Sequence, residues 1–86
     1  MACYVYVLGS RSGSGGDYRT YVGWTTDIEA RLEKHNTGAG ARSTRGRQWR
    51  LLYAERYLNR GEAMSREWHI KRDRNFRIAL RANWQT

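Results

Sequence analysis

The chain has no proline, one cysteine, two histidines and half as many acidic as basic residues, and each scarcity excludes a class of protein. Without proline, glycine is left as the main punctuation between elements. Cys3 alone cannot form an internal disulfide, and one cysteine with two histidines gives no zinc-site spacing. No apolar run approaches membrane-spanning length; the longest, Cys3 to Leu8, suits a single strand. The N-terminus lacks the basic, apolar and small-residue order of a secretory leader. A cytoplasmic protein without a metal cage or a membrane partner is therefore expected, and association with the nucleoid is compatible with it. Its 86 residues leave room for one domain, 1–86, with one modest core.

What is abundant is positive charge. Sixteen basic residues against eight acidic ones give a net charge of +8, and fourteen of the sixteen are arginine. The planar guanidinium forks onto phosphate oxygens in a way the lysine ammonium does not. A small, arginine-dominated domain points to a polyanion, most simply a nucleic acid.

Tyr4–Leu8 and Thr20–Trp24 are short runs rich in β-branched and aromatic residues, so they read as two hairpin strands, with Tyr6 and Tyr21 at their middles. Residues 9–19, rich in Gly and Ser, read as a long flexible connection. A helix is expected after Thr26, an N-cap with Glu29 three residues on. On it, Ile28 and Leu32 make an apolar stripe, and Arg31 and His35 an adjoining pair one turn apart. Asn36-Thr37-Gly38 is the stop. No acidic residue occurs from Lys34 to Ala54, whereas Arg42, Arg45, Arg47 and Arg50 recur there, so this loop is the expected contact with a phosphate backbone. Trp49 reads as an anchor for a third strand, Trp49–Tyr57. There, alternation puts Leu51, Tyr53, Glu55 and Tyr57 on one face and Leu52 and Ala54 on the other. A second helix begins at Asn59, capped in concert with Glu62, and a last helix carries Phe76, Ile78, Leu80 and Trp84. The order β-β-α-β-α-α describes a small α/β fold, an α+β sandwich: a three-stranded, mostly antiparallel sheet flanked by helices.

Glu67 is out of place. On the helical wheel it falls between Ala63 and Met64, within the apolar stripe, where a carboxylate needs a partner. An ion pair is one explanation, with Arg66 and Lys71 poorly aimed and a strand arginine open as a partner. A metal ligand at the rim of a cleft is the other, since one carboxylate with phosphates and waters is an ordinary way to hold magnesium. His69 faces away from this stripe, toward solvent.

Taken together, Tyr4-Val5-Tyr6, Tyr21-Val22-Gly23, the helix with Arg31 and His35-Asn36, the Gly38–Trp49 tract and Glu67-Trp68-His69-Ile70-Lys71 resemble the GIY-YIG nuclease superfamily over nearly the whole chain. The likeness is to its small single-domain members and to the catalytic module of endonucleases that cut branched DNA. The first signature starts with Tyr4 instead of glycine, while Tyr6 is kept. The resemblance implies a phosphodiester hydrolase dependent on Mg2+ or Mn2+ and acting on DNA, at branched or flapped structures, with RNA as a further partner. It implies that Tyr6 activates or positions water, Tyr21 orients it, Arg31 binds the scissile phosphate, His35 assists proton transfer or phosphate contact, and Glu67 holds the metal. Such chemistry needs a base, charge neutralisation at the phosphoryl oxygens and a stabilised leaving oxygen. The competing expectation is a non-catalytic nucleic-acid-binding module of the same fold. A protein partner supplying specificity fits either, and the oligomeric state is left open.

Overall fold

Cys3–Arg11, apolar on both sides of its pleat, becomes the central strand β1, as a continuous run buried on two faces should. It pairs antiparallel with β2 (Tyr18–Thr25) on one side and β3 (Arg50–Tyr57) on the other, giving the sheet order β2-β1-β3. The computed structural model describes residues 2–11 and 18–84. Three helices, α1 (Ile28–Thr37), α2 (Arg60–Arg72) and α3 (Arg74–Ala79), complete an α+β fold, with single 3₁₀ turns at Arg42–Thr44 and Leu80–Asn83.

The two faces of β1 carry two cores. Cys3, Val5 and Val7 pack with Val22, Leu52, Ala63, Ile70 and Leu80 beneath α2 and the C-terminal turn. Tyr6 and Leu8 pack on the opposite face with Trp49, Tyr21 and, from α1, Leu32. Val5, Val7, Leu8 and Ile70 are essentially inaccessible to water. Each such side chain contributes about 1.5–3 kcal/mol of transfer free energy. The sheet is thus a partition, with the tyrosine face toward α1.

Several expectations need correction. The strands run further than the hairpin reading allowed: Gly9, Ser10 and Arg11 pair with Thr20, Arg19 and Tyr18, because their backbone groups find ladder partners and Ser10 is buried. Of the expected connection, residues 12–17 lie outside the described residues. The N-cap of α1 is Asp27, not Thr26: its short carboxylate accepts from Ala30 N at 3.1 Å, and Thr25 Oγ1 accepts from Asp27 N at 3.1 Å. The helix ends at Gly38 with φ 85°. Strict alternation on β3 also fails. The β1–β3 register shifts between Val7 and Leu8, and the irregularity puts Leu52 in the same core as Tyr53 rather than on the opposite face. The second helix starts as expected: Asn59 accepts from Glu62 N at 2.8 Å, and Glu62 Oε1 accepts from the Asn59 side chain. The last helix is short and gives way to the 3₁₀ turn at Leu80.

Candidate active site

Four residues picked out in the sequence, Tyr6, Tyr21, Arg31 and His35, come together on the tyrosine face, and the charge of a fifth, Glu67 of α2, is felt at Tyr6. Tyr6, from the middle of β1, is 1% exposed and lies 3.1 Å, oxygen to Nε2, from His35 of α1. The rings of Tyr21 and His35 approach to 4.7 Å between centroids, and those of Tyr6 and Tyr21 to 6.4 Å. His35 is fully enclosed, at 0% exposed. The i, i+4 spacing of Arg31 and His35 works because α1 lies across the sheet with that strip inward.

Two glycines make the approach possible. Gly23 pairs with Tyr6 across β1 and β2, and a Cβ there would stand 2.6 Å from the Tyr6 hydroxyl. A Cβ on Gly40 would stand 2.5 Å from His35 Nδ1. Both distances are incompatible with a side chain unless the ring moves. The small residue after Tyr21-Val22 therefore clears space for the phenol of the opposite strand.

Burial pushes the Tyr6 phenol above its ordinary value of 10, against the Arg31 guanidinium, which favours ionisation; Tyr21 and the Glu67 carboxylate add to the upward push. Burial lowers the His35 pKa below 6.5, and the Arg31 charge lowers it further. Tyr6 is accordingly a phenol and His35 a neutral imidazole at neutral pH.

Glu67 reaches this neighbourhood from α2, its side chain 20% exposed and 3.8 Å from Lys71 Nζ one turn along the helix. Lys71, poorly aimed on the sequence reading, is thus an ion-pair partner of Glu67. Among the described residues no three His, Cys, Asp or Glu side chains gather. A lone carboxylate such as Glu67 would suit a hard, oxygen-liganded cation better than a closed nitrogen and sulfur cage.

The arginine loop divides. Arg42 and Arg45 are exposed. Arg47 instead donates from Nε to Ser10 Oγ at 3.0 Å and from a terminal nitrogen to Ser10 O at 3.4 Å, tying the loop to the end of β1. The guanidinium of Arg50 lies 4.6 Å over the Trp84 ring. Trp49 is an anchor, as its sequence position suggested: it is buried, its backbone N–H donates to Asn36 Oδ1 at 2.6 Å, and Asn36 Nδ2 donates to its carbonyl at 3.2 Å.

Other features were not read from the sequence. Thr44, in the middle of the arginine loop, is fully buried, with its Oγ1 2.9 Å from His35 Nδ1. A hydroxyl residue among arginines gives no signal of burial. Arg31 lines a cleft of about 350 Å³ with Trp24, Asp27 and Lys34. Tyr21 lines a second, of about 220 Å³, with Lys71 and Arg77. That cleft shares Thr20 and Arg77 with a third, of about 330 Å³, which adds Arg19 and Arg74. All three lie along β2, the edge strand beside the tyrosines, and basic residues line each one.

A family model described as the GIY-YIG catalytic domain matches residues 2–79. A UPF0213 protein of Clostridium perfringens is 43% identical over 79 residues, covering 90% of this chain and 80% of that protein. A UPF0213 protein of Oceanobacillus iheyensis is 44% identical over 69 residues, covering 79% of this chain and 74% of its own length. The solution NMR structure of a UPF0213 protein from Bacillus halodurans is 36% identical, covers 95% of this chain and 84% of that one, and superposes with a TM-score of 0.51.

Proposed function

The chain belongs to the GIY-YIG catalytic-domain family, a family of nucleases, and from that premise we propose that it is a divalent-metal-dependent endonuclease that hydrolyses DNA phosphodiester bonds at branched or flapped structures. The observation that carries this reading is the buried hydroxyl–imidazole contact of Tyr6 and His35 beside Arg31 and Glu67.

The raised pKa of Tyr6 argues against a standing phenolate. A concerted transfer fits better: the Tyr6 oxygen takes a proton from the attacking water as the phenol passes its own to neutral His35. The water oxygen forms the new P–O bond, the scissile P–O bond breaks with its electron pair leaving on the 3′ oxygen, which takes a proton from solvent, and the proton relayed through the phenol ends on the imidazole. His35 is the net base and Tyr6 the conduit. Arg31 binds the scissile phosphate, and that anion offsets the charge that holds the His35 pKa down, so the base strengthens as substrate arrives. Tyr21 orients the water from the cleft it lines. Glu67 would hold a Mg2+ or Mn2+ ion, which supplies a Lewis acid at the phosphate when bound.

The clefts along β2 give the nucleic-acid backbone a basic path past Tyr21, with the exposed Arg42 and Arg45 at the other side of α1's end as a second contact. The alternative, a module that binds DNA or RNA without cutting, shares the charge but gives no role to the Tyr6–His35 contact. Incubation with labelled duplex, flap and junction DNA in Mg2+ or Mn2+ tests the choice. Discrete metal-dependent products support the nuclease, whereas salt-sensitive binding with intact substrate in every metal supports the module.

A further inference from the structure

We propose that Thr44 is a positioning residue that fixes His35 as the Nδ1–H tautomer, leaving Nε2 as the acceptor for the Tyr6 hydroxyl. The assignment follows from counting protons. A threonine hydroxyl has one proton to give. That of Thr44 donates to the Ala41 carbonyl at 2.7 Å. Toward His35 Nδ1, 2.9 Å away, Oγ1 can therefore act only as acceptor, and Nδ1 must carry the proton. A neutral imidazole holds one N–H, so the Nε2 lone pair faces Tyr6, whose O–H must donate across the 3.1 Å contact. One directional chain results: Tyr6 O–H to Nε2, Nδ1–H to Thr44, Thr44 O–H to Ala41.

The surrounding loop holds Thr44 to this task. Its carbonyl accepts from Trp49 Nε1 at 2.9 Å, and its N–H also donates to Ala41 O, at 3.0 Å. Both His35 and Thr44 are 0% exposed, so the hydroxyl orientation is set by protein groups and not by exchange with water. Gly40 lets the loop close over Nδ1. The reverse tautomer would point N–H at the Tyr6 oxygen and leave Nδ1 facing a hydroxyl already committed elsewhere.

The consequence for turnover rests on the nuclease reading; the tautomer does not. The test is a long-range proton–nitrogen NMR correlation of the imidazole rings in the ¹⁵N-labelled full chain at neutral pH, with His69→Gln, an exposed site, used to assign His35. In the unsubstituted protein Nδ1 is expected as a protonated, pyrrole-like nitrogen and Nε2 as an unprotonated one. Thr44→Val, nearly isosteric, should move protonation toward Nε2, and Thr44→Ser should restore the original pattern. If the protein cleaves DNA, Thr44→Val should slow it by about 10- to 100-fold, as loss of a partner that fixes a histidine does elsewhere, with Thr44→Ser close to the starting rate. A protonated Nε2 in the unsubstituted protein overturns the proposal, as does an unchanged Nδ1–H pattern in Thr44→Val. Should the valine variant fail to fold, the unsubstituted and serine spectra still decide. Absence of cleavage with the expected nitrogen pattern counts against the nuclease reading alone.

Discussion

Gly23 and Tyr6 face one another across β1 and β2, and the missing side chain of one accommodates the phenol of the other. Gly23→Ala is expected to push the Tyr6 ring away from His35 and to destabilise by about 1–3 kcal/mol, as overpacked sites do. Urea unfolding together with the Tyr6–His35 contact by NMR would check both parts. The pH dependence of cleavage tests the role of His35, which faces Tyr6, Tyr21, Arg31 and Thr44. The relay needs a neutral imidazole, and burial followed by the Arg31 charge places its pKa below 6.5. Cleavage by the free enzyme should be flat above 6.5 and fall as pH drops through that lower value, and His35→Gln should remove this limb along with most activity. A midpoint above 6.5 would contradict the assignment. At this scale Tyr6, Arg31 and His35 were legible through the resemblance carried by the tyrosine signatures and the helix with Arg31 and His35-Asn36, and the structure brings their side chains together. It was silent on Thr44, since its burial depends on Trp49 and Asn36 folding the loop inward.

At the scale of elements, β3 and α2 are joined by a carboxylate that sequence alternation put on the right face but left without a partner. Burial alone would raise the pKa of Glu55, yet the Arg66 fork and the hydroxyls of Tyr53 and Tyr57 outweigh it and hold it at about 2, against 4.5 for a free carboxyl. The folded-state pKa is depressed, so the stabilisation is complete above 4.5 and is lost as pH falls toward 2. It is at most about 3 kcal/mol and smaller in practice because the Arg66 side chain is 37% exposed and solvent screens it. Glu55→Gln should unfold at lower urea than the parent at pH 7, with the difference shrinking below pH 4.5 and nearly closed at about pH 2. A constant difference would show that charge is not the cause. The register shift in β3 was illegible for a related reason: a bulge changes which face a residue takes without changing residue type. The cap of α1 was missed by one residue, because Thr26 and Asp27 are both good cap formers and Thr25 decides between them by holding the Asp27 N–H.

Over the whole molecule, charge sets where a polyanion can lie. The order of elements along the chain follows from local patterns and was readable. The path along β2 was not, because Arg19, Lys71, Arg74 and Arg77 are dispersed in sequence and assembled only by pairing and packing. Arg77 also fastens α3, donating to the carbonyls of Ile70 and Lys71 and to Thr20 Oγ1. Arg74 is exposed and outside the candidate catalytic set, so Arg74→Glu probes the path without disturbing the chemistry. DNA binding by the Glu67→Gln protein should weaken with Arg74→Glu, and the slope of log affinity against log salt should shrink by about 1. The same slope with and without the substitution would remove this surface from the interface. Among the described residues no helix is long and apolar enough to cross a membrane.

The most direct test of the central claim is single-turnover cleavage of an end-labelled flap or junction DNA in Mg2+, comparing the parent with Tyr6→Phe and Glu67→Gln after each is shown to melt as the parent does. The expected result is discrete product from the parent and rates reduced by at least about 100-fold in both variants, in line with loss of a proton-transfer group or a metal ligand. Cleavage that survives both substitutions unchanged would contradict it.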